Sequence, residues 1–230
     1  GLGREMAFAA ARCGADVVIA SRKFDSCQDT AAAIEAETGR TAMPYAVHVG
    51  HWDELDGLVD AVHERFGRLD VLVNNAGMSP VYDKQTDVTE KLFDAVVSLN
   101  LKGPFRLSAL VGERMVAAGG GVIINVSTHG SLRPHPSFIP YAASKAGLNV
   151  MTEALAQAFG PKVRVNTLMP GPFLTDISKA WNFGDTNPFG HFALQRAGNP
   201  PEIVGAALFL MSDASSYTTG SILRVDGGPP

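Results

Sequence analysis

Short β-branched runs alternate with helix-length stretches along nearly the whole chain, and this alternation constrains the fold more than any other feature. Val17–Ala20, Ala42–Val49, Leu69–Val73, Val122–Val126, Val163–Leu168 and Ile222–Val225 read as buried strands. Helices are predicted over Arg4–Arg12, about Ser26–Thr38, Leu55–Phe66, about Thr89–Asn100 and on to about Ala118, Tyr141–Phe159, and residues 202–211. Gly39 and Gly67 supply helix stops. Strands separated by helices of this length form right-handed βαβ units, because parallel neighbours need a crossover and the crossover packs on the sheet. The expectation is an α/β fold: a doubly wound parallel sheet of Rossmann type with helices on both faces. The chain shows no internal repeat, low-complexity tract or linker, so residues 1–230 are expected to form one domain. Residues of about 176–200 break the alternation, and so long an irregular stretch in a compact domain reads as a functional lid.

Charge narrows the partners. Lys plus Arg is 19 against 23 Asp plus Glu, a net charge of −4, which gives no electrostatic case for nucleic acid or an anionic membrane. No apolar run approaches the ~20 residues that span a bilayer, and no basic-then-apolar leader opens the sequence. Cys13 and Cys27 form no CxxC pair, which suits a reduced, cytoplasmic setting. His51, His63, His129, His135 and His191 lack ligand spacing, so no metal is expected. The sequence opens on Gly1-Leu2-Gly3, a tight glycine turn at a helix mouth, and upstream residues are expected to belong to the same fold.

Four local patterns carry chemistry. A GxG at a helix mouth lets backbone N–H groups approach a pyrophosphate, although Gly1 and Gly3 alone also suit a plain turn. Asn74-Asn75-Ala76-Gly77 follows an apolar strand, where the carboxyl end of a parallel sheet opens a ligand crevice; a simple turn fits equally. Tyr141 and Lys145 stand at i and i+4 on one helical face. A phenol with a pKa of about 10 becomes a usable acid–base group if a nearby ammonium lowers it by about three units. Hydroxyls in Asn125-Val126-Ser127-Thr128 close the set.

Taken in order, these patterns, with Ser98-Leu99-Asn100-Leu101-Lys102-Gly103, Pro170-Gly171, Tyr217-Thr218-Thr219-Gly220 and Val225-Asp226-Gly227-Gly228, are similar over essentially the whole chain to the short-chain dehydrogenase/reductase family. The resemblance implies a catalytic set of Asn100, Thr128, Tyr141 and Lys145. Tyr141 would be the acid–base, and Lys145 would lower its pKa and bind nicotinamide ribose hydroxyls. Asn100 would hold a relay water. Thr128 stands where the family nearly always has serine, and Ser127 is the alternative, although neighbours on a strand face opposite sides. Gly1, Leu2 and Gly3 resemble the end of the family's TGxxxGxG loop. Asn74, Ala76 and Gly77 would line the adenosine side, and Pro170, Gly171, Phe173 and Thr175 the nicotinamide side. His48, next to Val49, stands where the family usually has an adenine-contacting Asp.

Coenzyme choice in such a fold turns on the end of Val17–Ala20. Ser21-Arg22 offers a hydroxyl and a guanidinium there in place of the carboxylate that would hold an NAD ribose, so NADP is expected over NAD. The resemblance further implies a homo-oligomer, a tetramer by family habit. It also implies a strand order of 3-2-1-4-5-6-7, whose central strand would precede Gly1. Val17–Ala20 and Leu69–Val73 are therefore expected to flank an unpaired slot, leaving the first strand missing. The function implied is an NADP(H)-dependent interconversion of a carbonyl and a secondary alcohol. Trp181, Phe183, Phe189 and Phe192, with few cations besides Lys179 and Arg196, favour an apolar substrate. An NAD-linked alcohol, sugar or steroid dehydrogenase, a 3-oxoacyl-carrier-protein reductase and a non-catalytic dinucleotide sensor are the alternatives.

Overall fold

The structure is a computed structural model that describes residues 1–175, 178 and 187–230. In chain order it contains α1 (Leu2–Arg12), β1 (Val17–Ser21), α2 (Phe24–Thr38), β2 (Ala42–Ala46), α3 (Glu54–Phe66), β3 (Val71–Asn74), α4 (Glu90–Val97) and α5 (Gly103–Ala118). It continues through β4 (Gly121–Val126), α6 (Ile139–Phe159), β5 (Val163–Pro170), α7 (Val204–Met211) and β6 (Ile222–Val225). Every strand pairing is parallel, as expected for strands joined by helices. Trp181, Phe183 and Lys179, expected in the lid, lie outside the described residues.

The strands fall into two hydrogen-bonded groups, β1-β2 and β3-β4-β5-β6. β1 and β3 are not paired with each other, in keeping with the slot expected between them. Two layers of side chains join the groups. On one face, Phe8 and Ala11 of α1 pack with Ala31, Ile34 and Ala42, while Met6 of the same helix packs with Ile124, Leu168, Ile203 and Leu210. On the other face, Val18 and Tyr45 of the smaller group pack against a cluster built by Leu55, Val59, Val111, Ile123, Leu155 and Val165. Ile34, Leu55, Ile123 and Leu148 are wholly buried, each worth about 1.5–3 kcal/mol.

Element boundaries depart from expectation at instructive places. β2 ends at Ala46 instead of Val49, although Val47 still donates its N–H to the Ser21 carbonyl. Pro44 sits within β2, and because among the described residues β2 pairs only with β1, its missing N–H breaks no ladder on the outer side. The helix expected to begin at Thr89 begins one residue later, because the Thr89 hydroxyl caps it by accepting from the Leu92 N–H at 3.2 Å. It also does not run regularly to Asn100: a π turn, Ser98–Lys102, joins α4 to α5. Gly39 and Gly67 stop α2 and α3 at φ of 67° and 74°, a backbone that favours glycine. Among the described residues no helix is long and apolar enough to cross a membrane.

Candidate active site

The candidate residues follow the carboxyl ends of the parallel strands or sit on helices packed against those ends. Thr128 lies two residues beyond β4, and its hydroxyl is near enough to the Tyr141 phenol to draw the phenol's pKa down. The same Thr128 oxygen accepts the Gly130 N–H at 3.2 Å, which orients it. Ser127 points elsewhere: its hydroxyl lies 3.3 Å from the Lys145 carbonyl and 3.4 Å from the Ser131 hydroxyl. Thr128, not Ser127, therefore accompanies the phenol. Phe138 stands edge-on to Tyr141 at 6.0 Å between ring centroids, an apolar wall that no motif pointed to.

Lys145 is 3% exposed, and its ammonium donates to the Val126 carbonyl at 2.7 Å. Burial lowers its pKa to about 8. The expected lowering of the Tyr141 pKa by Lys145 is not what this arrangement gives. Burial raises the phenol, and the Thr128 hydroxyl draws it part of the way back. The reason is geometric, since the ammonium is turned onto a backbone carbonyl.

Asn100 is wholly buried in the π turn. Its amide clamps Met78 at both ends: Oδ1 accepts the Met78 N–H and Nδ2 donates to the Met78 carbonyl, each at 2.9 Å. The Asn100 side chain is thus occupied with fixing the turn after β3. Its main-chain carbonyl has a different status. Pro104, four residues on, has no N–H to give it, so the partner that α-helical spacing would assign is lacking. Gly77 lies between these groups. A Cβ there would fall 3.1 Å from Asn100 Oδ1 and 3.6 Å from Lys145 Nζ, so glycine keeps open the space they border.

At the first turn of α1, Gly1 caps with its carbonyl, which accepts from the Arg4 N–H at 3.1 Å. Leu2 packs into the core beside Met6. Gly3 is pressed against Asn75, and a Cβ would come within 2.6 Å of Asn75 Nδ2. The two glycine-bearing motifs therefore meet, and Asn75, to which the family resemblance assigns no role of its own, is the residue at their junction. Asn74 is turned inward and is buried. Its Nδ2 donates to Asn125 Oδ1 at 2.8 Å and to the Ser108 hydroxyl at 3.0 Å. Asn125 then donates to Thr152, whose oxygen also accepts from Thr167, so a buried polar ladder ties β3, β4 and β5 to α5 and α6. The Asn74 side chain serves this ladder and does not line the crevice. Ala76 packs at the edge of the larger core cluster.

A second group of candidates gathers at the ends of β1 and β2. Ser21, Arg22 and His48 are neighbours there, and burial, then the nearby His51 and the Arg22 charge, hold the His48 pKa below its usual value. The His48 ring stacks on His51 at 4.1 Å and accepts the Gly50 N–H. The Ser21 hydroxyl lies 3.1 Å from the Cys27 sulfur, so its expected role toward a ligand is shared with that thiol. Val49 is buried, and its carbonyl lies against Gly103, where a Cβ would be 2.0 Å away.

Beyond β5, Pro170-Gly171 packs under the C-terminal segment, and a Cβ on Gly171 would meet Asp226 Cα at 2.6 Å. Phe173 is buried and bridges to Gly198, and Thr175 follows it, half-buried. Among the described residues no group of three His, Cys, Asp or Glu side chains could hold a metal.

A parallel sheet that gathers glycine turns, a hydroxyl–phenol pair and a buried ammonium at its carboxyl edge defines a dinucleotide-binding α/β protein. Comparison with known proteins makes the class specific. Residues 1–229 match the family described as Enoyl-(Acyl carrier protein) reductase. The chain is 34% identical over 236 residues to an NAD-dependent glycerol dehydrogenase of Listeria innocua, covering 99% of this chain and 89% of that protein. Among solved structures, it resembles a short-chain type dehydrogenase/reductase from Mycobacterium marinum (TM-score 0.90, 32% identity, 99% of this chain and 90% of that one). It also resembles an NADPH-dependent 3-quinuclidinone reductase from Rhodotorula rubra (TM-score 0.93, 28% identity, 99% and 86%). The chain belongs to the short-chain dehydrogenase/reductase family, and like the family it is an oxidoreductase acting on CH–OH groups with NAD(P).

The site fits such a coenzyme. Gly3 and Gly77 leave backbone accessible where a side chain would fill the space. Among the described residues Lys145 spends one of its three N–H donors, on Val126, and sugar hydroxyls suit the others.

Proposed function

We propose that the protein is an NADP(H)-dependent oxidoreductase that interconverts an apolar or aromatic carbonyl and its secondary alcohol, with Tyr141 as general acid–base. The observation that carries this reading is the Thr128 hydroxyl set beside the Tyr141 phenol, one helical turn from the buried Lys145. The nicotinamide, when bound, supplies or accepts the hydride. Gly1, Leu2, Gly3, Ala76 and Gly77 would hold its dinucleotide, with Pro170, Gly171, Phe173 and Thr175 beside the nicotinamide half and His48 and Val49 beside the adenine. In reduction, the Thr128 and Tyr141 hydroxyls hydrogen-bond the carbonyl oxygen, and Tyr141 gives its proton to the alkoxide that forms. A phenol raised by burial is protonated at neutral pH, as a proton donor must be. Lys145, with its low pKa, can pass a proton toward the phenol, and a water on the Asn100 carbonyl can refill it. Phe138, edge-on to Tyr141, gives the site an apolar wall.

Thr128→Ala is expected to lower kcat at least ~10-fold, since it removes one of two donors to the developing oxyanion. Ser127→Ala should cost much less, because that hydroxyl serves the Lys145 carbonyl. Steady-state kinetics on both variants checks this, and the reverse ranking would exchange their roles.

The coenzyme assignment rests on Arg22 and on the absence of a carboxylate at the end of β1. The relatives include NAD-dependent and NADPH-dependent enzymes, so the fold admits either and the choice belongs to this corner. Arg22→Asp is expected to reverse the NADPH-to-NADH ratio of kcat/KM, since a carboxylate repels the 2′-phosphate and accepts from a 2′-hydroxyl. An unchanged ratio would remove Arg22 from the assignment.

The assembly is a homo-oligomer in this reading, most simply a tetramer. Phe105 on α5 and Val150 on α6 are apolar yet 43% and 70% exposed, and Phe209 and Tyr217 are exposed near the C-terminal strand. Such faces suit burial against a second copy. Sedimentation should give a tetramer that Val150→Glu weakens, and a monomer would refute the assembly. Free thiols at Cys13 and Cys27 suit a reducing, cytoplasmic setting.

A further inference from the structure

We infer that Asn149 and Ser131 are positioning residues that hold the Thr128 hydroxyl against Tyr141. This rests on the reading of Thr128 and Tyr141 given above. Asn149 lies on α6 one turn beyond Lys145 and two beyond Tyr141, on the same helical face. It is 7% exposed, and its Nδ2 donates to the Ser131 hydroxyl oxygen at 2.9 Å. Ser131 in turn donates its only hydroxyl proton to the Thr128 carbonyl at 2.7 Å, and its N–H reaches the same carbonyl at 3.0 Å. With that proton committed, Ser131 Oγ can only accept from Asn149, which fixes which way the amide faces. The relay therefore has one direction: Asn149 to Ser131 to the Thr128 carbonyl.

The loop after β4 is tied to α6 at two levels. Ser127 holds it near the Lys145 carbonyl, and Ser131 holds it to Asn149 one turn on. Between the two ties stands Thr128, with its carbonyl gripped by Ser131 and its hydroxyl oriented by the Gly130 N–H. The helix that carries Tyr141 thus also sets the backbone of the residue that must meet Tyr141.

The amide is a poor choice for stability alone. Among the described residues Asn149 Oδ1 is buried without a partner, and a leucine of similar size would bury no unpaired oxygen. A purely structural role predicts that Asn149→Leu is neutral or beneficial in every respect. A positioning role predicts that stability holds while the Thr128–Tyr141 contact loosens.

The test reads that contact directly and needs no substrate. Tyrosine labelled with 13C at Cζ is titrated by NMR in the ligand-free protein, and Tyr141→Phe identifies the Tyr141 signal among the 4 tyrosines. Because the Thr128 hydroxyl lowers the Tyr141 pKa, Thr128→Ala should move the titration upward. Asn149→Leu and Ser131→Ala should each move it the same way, and neither should move it further in a Thr128→Ala background. With acetophenone and NADPH, each single variant should also lose about tenfold in kcat, since misplacing a catalytic group by about 1 Å costs up to about 10²-fold. The coenzyme Kd should be unchanged. A Tyr141 titration unmoved by both Asn149→Leu and Ser131→Ala, or shifts that persist fully without the Thr128 hydroxyl, overturns the inference. Should Asn149→Leu fail to fold, Ser131→Ala carries the same cycle. A shifted titration in a protein that reduces no carbonyl supports the inference and overturns the proposed function instead.

Discussion

Tyr141→Phe is expected to lower carbonyl reduction at least ~10²-fold while leaving NADPH affinity within about twofold of the parent. In the proposed mechanism the phenol gives its proton to the carbonyl oxygen, and phenylalanine keeps the ring and its edge contact with Phe138 while removing only the hydroxyl. The loss should fall on kcat, because the proton is needed in the transition state more than in binding. Fluorescence titration with NADPH beside steady-state kinetics separates the two. Retained turnover would remove Tyr141 from the mechanism, and lost coenzyme affinity would make its role structural.

Lys145→Met should move activity and stability in opposite directions. Burial lowers the Lys145 pKa from 10.5 to about 8, so the charged form costs the folded state on the order of 3 kcal/mol at neutral pH. The sign follows from proton counting: between about 8 and 10.5 the unfolded chain binds more protons than the folded one. The parent should therefore gain stability as pH rises through that window, whereas the methionine variant should lack this component. Below the window, methionine avoids the cost of a buried charge but forfeits a charge-assisted hydrogen bond and strands the buried Val126 carbonyl, which returns about 1.5–3 kcal/mol and leaves a net gain of at most about 1 kcal/mol. For a chain of this size that raises Tm by about 2–4 °C. Turnover should fall at least ~10²-fold, since the proposed mechanism makes Lys145 both a donor to the ribose and the proton reservoir for Tyr141. Thermal melts across pH and kinetics at neutral pH check this, and a fall in Tm would contradict it.

Much of this arrangement was legible in the sequence because its signals are local. Apolar runs such as Val122–Val126 and Val163–Leu168 have no stable home except a covered sheet, and they pair as β4 and β5. The i, i+4 spacing of Tyr141 and Lys145 needs only helical period to place both on one face. What escaped notice depends on distant partners. The π turn around Asn100 looks like ordinary helix by propensity, and only Pro104 beyond it hints at irregular carbonyl bonding. Asn74 read as a ligand contact because nothing local shows that Asn125, 51 residues on, waits across the strand pair to accept from it. Lys145 was expected to act on Tyr141 by charge, yet the Val126 carbonyl that captures it lies on another element. Asn149 and Ser131 carry no motif, and only the folded loop brings them to one another.

The division between the two strand groups shows the same limit. Alternation along the chain predicts parallel strands and covering helices, but it says nothing of which helix bridges them. That task falls to α1, whose Met6 enters one core cluster and whose Phe8 and Ala11 enter another. The residue spacing of a helix permits two buried faces, and only packing selects their partners.

Transfer of deuterium from the nicotinamide C4 of labelled NADPH to a ketone tests the central claim most directly. The purified protein is incubated with each C4 stereoisomer of the labelled coenzyme and acetophenone or a panel of related aryl ketones, and the alcohol is analysed by mass spectrometry. One stereoisomer should place deuterium on the carbinol carbon, and Tyr141→Phe should suppress that product at least ~10²-fold at unchanged coenzyme binding. A protein that binds NADPH yet labels no alcohol from any ketone in the panel would contradict the account and leave a dinucleotide sensor in its place.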